Sequence, residues 1–150
     1  MEKGDRIPDF LGIDAYGKEW RARDFEGSKL VIFFYPKDGT LLCTNEVCSI
    51  ANGYNELLKA GYKVLGVSSD NALSHQKFAE EYSLPFPLIA DTDLALNKAF
   101  GVWKLQYFSG GEYMGTERTT FLVDENGLVD EIITKVDTKD SANQILKLNK

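Results

Sequence analysis

The feature that constrains this chain most is an apolar run that passes directly into turn residues and then into a periodic segment. The run from Leu30 to Tyr35 has no polar alternation, which is typical of a central parallel strand covered on both faces. Pro36 ends such a strand because proline has no N–H to donate, and Lys37-Asp38-Gly39 favours a turn. The sequence therefore predicts a buried strand, a turn and a helix, in that order.

The helix after this turn carries both cysteines of the chain. Thr40 is a suitable N-cap, and Gly61 is a suitable residue to end the helix. Between them, apolar residues recur at spacings of three and four and predict one buried stripe: Val47, Ile50, Ala51, Tyr54, Leu57 and Leu58. Cys43 precedes Val47 by four residues and so lies on this stripe. Cys48 follows Val47 directly, about 100° further around the helix, and lies off it.

Cys43 is the candidate nucleophile, because it falls in the first turn of the predicted helix. The amide groups there are unpaired and the helix dipole is positive, so the thiolate is favoured over the thiol. A cation nearby can help to lower the pKa of such a cysteine from about 8.5 by one or several units. The alternative is that Cys43 and Cys48 are unrelated core residues, since free cysteines are often buried. The position after a strand and a turn favours the reactive interpretation.

The two cysteines cannot form a disulfide while the helix is intact. Five residues on a helix place their Cα atoms roughly 8.5 Å apart and their side chains about 140° out of alignment, whereas a disulfide needs Cα atoms within about 7 Å. Bridging would require the first turns to unwind. Gly53 and nearby asparagines are weak helix formers and lower the cost of unwinding. Two cysteines and one histidine are too few for a closed zinc site, so we expect no metal.

Arg118 is the candidate cation of the site. It begins an apolar strand, Thr119 to Val123, and an arginine there is unusual unless an anion faces it. The alternative is an edge arginine whose side chain reaches water. In the functional interpretation Arg118 stabilises the Cys43 thiolate. Glu46, three residues after Cys43 and on the same side of the helix, is placed to hold the guanidinium.

Composition limits the kind of protein. A chain of 150 residues with 43% hydrophobic content predicts one domain, residues 1–150, with a substantial core. No apolar stretch is long enough to predict a membrane span. Seventeen basic and 23 acidic residues give a net charge of −6, which disfavours nucleic acid and anionic membranes as partners. The polar N-terminus lacks a signal-peptide core and two cysteines are no disulfide scaffold, so we expect a cytoplasmic protein.

The remaining elements predict an α/β arrangement. The sequence favours these elements: a hairpin of Phe10–Ile13 and Lys18–Arg21, a buried strand Lys63–Ser69, a helix through Phe78 to Tyr82, a short strand Leu88–Ala90, a helix Leu94–Phe100, strands Thr119–Val123 and Leu128–Thr134, and a last helix capped by Ser141. In that last helix Ile145, Leu146 and Leu148 are expected to point inward. The early strand–helix–strand segment implies a parallel crossover.

A few other residues invite interpretation. His75 stands alone and is predicted to be a solvated surface histidine. Asp91 and Asp93 are predicted to cap a helix and not to form a catalytic pair of carboxylates. Trp103, Tyr107 and Phe108 fall in a predicted glycine-containing loop, residues 101–115, which either forms the floor of a substrate pocket or covers the core.

The pattern Pro36-x-x-x-Thr40-x-x-Cys43 resembles the active-site motif of peroxiredoxins. Cys48, five residues later, resembles the resolving cysteine of the bacterioferritin comigratory protein (PrxQ) subfamily. Three further stretches are similar to that subfamily in order and spacing, so that the likeness covers nearly the whole chain: Tyr35-Pro36-Lys37-Asp38, Phe100 to Trp103 and Arg118 to Asp124. One departure is Leu41-Leu42, where the family usually has Pro-Gly.

The resemblance implies an α/β thioredoxin-like fold of the peroxiredoxin type: a mixed central sheet flanked by helices, with an N-terminal β-hairpin. It assigns catalytic roles to Pro36, Thr40, Cys43 and Arg118, with Cys43 becoming a sulfenic acid that Cys48 resolves as a disulfide. The implied substrates are hydrogen peroxide and organic hydroperoxides, and the implied reductant is thioredoxin. The resemblance also suggests a monomer, and no metal, haem or flavin cofactor is expected.

The competing hypothesis is a redox-sensing or thiol–disulfide exchange module of the same fold, with little peroxide turnover. Two observations argue against it. A passive switch does not need Arg118 together with Thr40. A thioredoxin-type reductase carries a cis-proline opposite its cysteines, and the matching stretch Glu117-Arg118-Thr119-Thr120 has no proline. The sequence therefore favours a thiol peroxidase.

Overall fold

The computed structural model describes residues 1–148. The strands within that range are β1 (Phe10–Ile13), β2 (Glu19–Arg21), β3 (Lys29–Phe34), β4 (Tyr62–Ser68), β5 (Leu88–Ala90), β6 (Trp103–Phe108), β7 (Gly111–Thr116), β8 (Thr119–Val123) and β9 (Val129–Ile133). The α-helices are α1 (Leu41–Asn52), α2 (Tyr54–Lys59), α3 (Ala72–Tyr82), α4 (Ala95–Ala99) and α5 (Ser141–Leu148). In this part of the chain no helix has the length and apolar character needed to cross a bilayer.

The central sheet has five strands in the order β5-β4-β3-β8-β9. The pairs β3–β4 and β4–β5 are parallel, whereas β3–β8 and β8–β9 are antiparallel. The sheet is therefore mixed, as expected, and the apolar run forms its middle strand. The predicted N-terminal hairpin is also confirmed, because β1 and β2 pair antiparallel.

Both faces of β3 are covered, which explains why its sequence does not alternate. One face packs against α1 and its neighbours, and the residues of that core include Val31, Phe33, Tyr35, Cys43, Val47 and Ile50. The opposite core includes Leu30, Ile32, Phe34, Phe100 and Phe121. Cys43 thus lies on the α1 side of the sheet, next to the end of its middle strand.

The expectation of one continuous helix after the turn is wrong at Gly53. This residue separates α1 from α2, and a Cβ built on it would lie 2.3 Å from the Cβ of Ala142 in α5. A glycine is needed here because α5 packs directly against its backbone. Leu58, expected on the buried stripe, is partly exposed. Gly61 follows α2 with a positive φ of 92°, as predicted for a helix end.

The segment 101–115 is a hairpin and not the predicted loop, since β6 and β7 pair antiparallel. Most of its side chains are exposed, including Tyr107 at 77%, so the segment lacks the buried alternation that identifies a strand. Tyr107 therefore does not cover the core. In α5, Ile145 is buried as expected, but Leu148 is 42% exposed and the expectation that it points inward is wrong.

Candidate active site

Cys43 is the third residue of α1 and is almost fully buried, with 1% of its surface exposed. Thr40 occupies the N-cap position, but its side chain accepts no hydrogen bond from the first turn. Its hydroxyl donates to the Lys37 carbonyl at 3.1 Å instead. Because the N-cap side chain does not compensate the first-turn amides, the positive end of α1 acts on the Cys43 sulfur.

Arg118 reaches this sulfur from the neighbouring strand. It directly precedes β8, whose first residue, Thr119, pairs with Phe34 at the end of β3. The register places the Arg118 backbone beside the start of the loop that leads to α1. Its Nη2 atom donates to Cys43 Sγ at 3.3 Å. Arg118 therefore lies beside Cys43, as the sequence indicated.

Glu46 holds the other arm of the guanidinium, as the sequence suggested. Arg118 Nη1 donates to Glu46 Oε1 at 2.7 Å, and the Glu46 side chain is fully buried. Burial raises the pKa of Glu46 to about 7, although the hydrogen bond and the charge of Arg118 act to lower it. Burial also tends to lower the pKa of Arg118, but Glu46 and Cys43 outweigh it and raise that pKa, so the guanidinium stays charged. Glu46 Oε2 has no hydrogen-bond partner among the described residues.

Cys48 lies outside this cluster. Both cysteines are free thiols, and Cys48 is only half-buried in the middle of α1. Burial raises the pKa of the Cys48 thiol, which keeps it protonated at neutral pH. Cys48 also lines an open cleft of about 640 Å³ between α1 and α5, whereas Cys43 does not line it.

The other two predicted residues, Pro36 and Thr40, belong to the segment between β3 and α1 and form no hydrogen bond with the Cys43 sulfur among the described residues. Pro36 is half-buried where the chain leaves β3, and Thr40 is exposed. Within residues 1–148 no hydrogen bond joins Thr40 to Cys43, because the hydroxyl proton goes to Lys37. The structure therefore brings Cys43, Arg118 and Glu46 into one bonded cluster. No group of three or more metal-ligating side chains is found in the described range.

The prediction that His75 is a solvated surface residue is wrong. Its side chain is fully buried, and its ring contacts Asp38 and the carbonyl of Ile89. The sequence carried a signal for this burial, because His75 lies three residues before Phe78 and therefore shares one face of the helix with it. Phe78 lies in the same core as Tyr35.

Helix capping by Asp91 and Asp93 is confirmed. Asp91 accepts from the backbone N–H groups of Leu96 and Asn97 at 2.9 and 2.7 Å. Asp93 accepts from the Ala95 N–H at 3.1 Å. Both carboxylates therefore accept hydrogen bonds from the backbone at the start of α4.

Comparison with known proteins identifies the family of this chain. The AhpC/TSA family model matches residues 3–132. The chain is 39% identical to the putative peroxiredoxin bcp of Coxiella burnetii, covering 91% of this chain and 90% of that protein. It is 37% identical to peroxiredoxin Bcp of Bacillus subtilis, with 98% and 94% covered. A structure of Xanthomonas campestris bacterioferritin comigratory protein, described as giving insight into its alkyl peroxide reduction activity, superposes with a TM-score of 0.84 at 35% identity, covering 95% and 96%. The chain therefore belongs to the AhpC/TSA family, among the thiol-dependent peroxidases known as Bcp or PrxQ peroxiredoxins.

Proposed function

We propose that Cys43 is the residue that attacks peroxide. The observation that supports this most is the Cys43 sulfur in the first turn of α1 with the Arg118 guanidinium at 3.3 Å. The thiolate attacks one peroxide oxygen, the O–O bond breaks, and the leaving oxygen takes a proton to become water or an alcohol. Cys43 is left as a sulfenic acid.

Arg118 has two roles in this step. Its charge favours the thiolate before reaction, and it stabilises the negative charge that develops on the leaving oxygen. Glu46 fixes the guanidinium through the 2.7 Å ion pair. In this proposal the Thr40 hydroxyl accepts a hydrogen bond from the incoming peroxide, since its own proton is given to Lys37. Pro36 shields the sulfur from water at the end of β3.

Cys48 resolves the sulfenic acid. Its sulfur attacks the Cys43 sulfur, a disulfide forms, and water leaves. Because both residues belong to α1, the beginning of that helix must unwind first. The half-buried, protonated state of Cys48 suits a thiol that reacts only after this opening.

A dithiol protein of the thioredoxin type then reduces the disulfide through a mixed disulfide. The open cleft beside Cys48 supports access of such a protein to this sulfur. We propose that residues 1–150 act as one domain and as a monomer. The two free cysteines suit a reducing compartment, the cytoplasm.

We propose both hydrogen peroxide and organic hydroperoxides as substrates. Leu41 and Leu42, directly before Cys43, are 76% and 54% exposed and offer an apolar surface to an alkyl group. The X. campestris relative, studied for its alkyl peroxide reduction activity, supports the second class.

The test is peroxide consumption coupled to thioredoxin, thioredoxin reductase and NADPH. We expect rapid turnover by the natural protein and none by Cys43→Ser. Mass spectrometry after one equivalent of peroxide is expected to find a Cys43–Cys48 disulfide. Turnover no faster than that of free cysteine would contradict the proposal and would favour a redox-sensing module instead.

A further inference from the structure

A buried histidine and a buried carboxylate meet directly before the active-site helix. His75 in α3 is fully buried, with Nε2 2.9 Å from the Ile89 carbonyl oxygen and Nδ1 2.6 Å from Asp38 Oδ2. A carbonyl oxygen only accepts, so Nε2 carries a proton. The short contact at Nδ1 needs a second proton, held either by the ring or by the carboxyl.

Asp38 is also bound by two hydroxyl groups. The Tyr35 hydroxyl donates to Oδ1 at 2.6 Å, and the Ser74 hydroxyl donates to Oδ2 at 2.8 Å. Burial raises the pKa of Asp38, but the hydrogen bonds and charge of His75, with Tyr35 and Ser74, outweigh it and lower that pKa. These groups therefore favour the carboxylate form of Asp38. The four residues Tyr35, Asp38, Ser74 and His75 are called the Asp38 network below.

The Asp38 network fixes one point of the loop that leads to Cys43. The Asp38 backbone N–H also donates to Asp70 Oδ2 at 2.6 Å, so both its main chain and its side chain are bound. Beyond this point the loop is open. Gly39 has a positive φ of 77° with free space around it, and residues 39–42 are exposed.

The reaction needs this segment in two arrangements. Peroxide attack requires the intact first turn of α1, where Cys43 meets Arg118. Disulfide formation requires the turn to unwind. In the intact form the loop is held at both ends, by β3 and by α1, with or without the Asp38 network. In the unwound form α1 no longer holds the loop, and the Asp38 network is the restraint that remains. Loss of the network therefore increases the conformational entropy of the unwound form more than that of the intact form.

We propose that the Asp38 network positions the active-site loop and biases it towards the arrangement that reacts with peroxide. This inference rests on the proposed roles of Cys43 and Cys48. Loss of the network shifts the balance towards the unwound form, so peroxide attack slows while disulfide formation accelerates. His75 and Asp38 are positioning residues, since in this structure neither bonds to Cys43 or Arg118.

The test measures the two steps separately by rapid mixing and quenching with a thiol-alkylating reagent, followed by mass spectrometry. Three variants weaken the network to different degrees: His75→Gln, Asp38→Asn and the milder Tyr35→Phe, which removes only one hydroxyl. We expect the rate of peroxide attack to fall and the rate of disulfide formation to rise, with the two factors multiplying to about tenfold, the change in equilibrium that a lost hydrogen bond can cause. At high peroxide concentration the sulfinic form of Cys43 is expected to decrease, because resolution competes better with a second oxidation.

Asp91→Asn is the matched control, because it changes a buried, hydrogen-bonded aspartate that serves α4 instead of the loop. It is expected to reduce stability without moving the two rates in opposite directions. Unchanged rates, or two rates that fall together, in Tyr35→Phe and Asp38→Asn would overturn the inference. A slower peroxide attack combined with a faster disulfide formation in Asp91→Asn would overturn it as well. Failure of the proposed function is distinguishable, since the natural protein would then form no sulfenic acid at Cys43.

Discussion

Arg118 and Glu46 form an ion pair inside the protein, with Nη1 and Oε1 2.7 Å apart and the glutamate side chain fully buried. The second arm of the same guanidinium bonds to Cys43 Sγ at 3.3 Å. The cation is thus shared between one buried carboxyl and the reactive sulfur. A change in the charge of Glu46 therefore affects the contact between Arg118 and the Cys43 sulfur.

The buried carboxyl makes the stability of the protein depend on pH. Burial raises the pKa of Glu46 to about 7 from an ordinary value of 4.5. The folded state therefore binds this proton more tightly than the unfolded chain does. The stability that this difference contributes is fully present below about pH 4.5 and is lost as the pH rises through about 7. We expect Glu46 to lower the free energy of unfolding by on the order of 3 kcal/mol between pH 5 and pH 8.

Urea unfolding at several pH values measures this effect. Glu46→Gln, which keeps the shape of the side chain and an acceptor for Arg118, is expected to flatten the dependence in this pH range. Glu81→Gln, a change at an exposed glutamate of α3, serves as the control and is expected to leave the dependence intact. An equal slope in the natural protein and in Glu46→Gln would show that this carboxyl does not titrate as described.

Removal of the guanidinium is expected to impair the first chemical step. In a Cys48→Ser background, Arg118→Met should slow peroxide attack by about 100-fold or more, because a fixed donor to the developing charge is lost. Alkylation of Cys43 by iodoacetamide at neutral pH should also become slower, because the donor to its sulfur is lost. Arg118→Lys is the control: it keeps the charge but loses the fork that joins Glu46 and Cys43, so an intermediate rate is expected. An alkylation rate unaffected by Arg118→Met would remove Arg118 from the site.

The resolving step is tested by Cys48→Ser alone. This variant is expected to consume one equivalent of peroxide at a rate close to that of the natural protein and then to stop in the presence of thioredoxin. Mass spectrometry should find Cys43 as a sulfenic acid, or as a sulfinic acid with excess peroxide. Full steady-state turnover would mean that a thiol outside this chain resolves the intermediate, since Cys43 and Cys48 are its two cysteines.

Much of this arrangement could be predicted from sequence, for a physical reason. The middle strand and the helix after it form the core, and core elements carry strong apolar periodicity. An arginine at the head of an apolar strand needs an anionic partner, and this requirement pointed from Arg118 to Cys43 and Glu46. Those three residues form the bonded cluster that the structure contains.

The features that sequence reasoning missed depend on partners distant in the chain. His75 is buried because Asp38, 37 residues earlier, supplies a carboxylate to its ring. Nothing in the local sequence of either residue specifies the other. The hairpin of β6 and β7 was missed because it is a two-stranded ribbon outside the central sheet, with most of its side chains in water. The break at Gly53 reflects the approach of Ala142 from the last helix.

That approach leads to a prediction about packing. Alanine is usually a better helix former than glycine, by up to about 1 kcal/mol. Gly53→Ala should nevertheless destabilise the protein by about 1–3 kcal/mol, because the new Cβ would lie 2.3 Å from that of Ala142. Thermal or urea unfolding measures the change. Ala142→Gly removes the methyl group that the new Cβ would meet. In an Ala142→Gly background, Gly53→Ala should therefore destabilise the protein much less than it does in the natural protein. A stabilised Gly53→Ala would show that α1 and α5 do not pack this closely.

The last prediction concerns substrate preference. Leu41 and Leu42 are 76% and 54% exposed and directly precede Cys43 in α1. An alkyl hydroperoxide can bury its chain against them, whereas hydrogen peroxide has no apolar part and gains nothing from this contact. Changing both residues to serine should therefore raise the KM for cumene hydroperoxide several-fold and leave the rate with hydrogen peroxide nearly unchanged. Leu73→Ser, at a leucine of α3 that is 59% exposed, is the control and should alter neither. Equal losses with both peroxides would indicate that the leucines support the fold of the first turn and do not select the substrate.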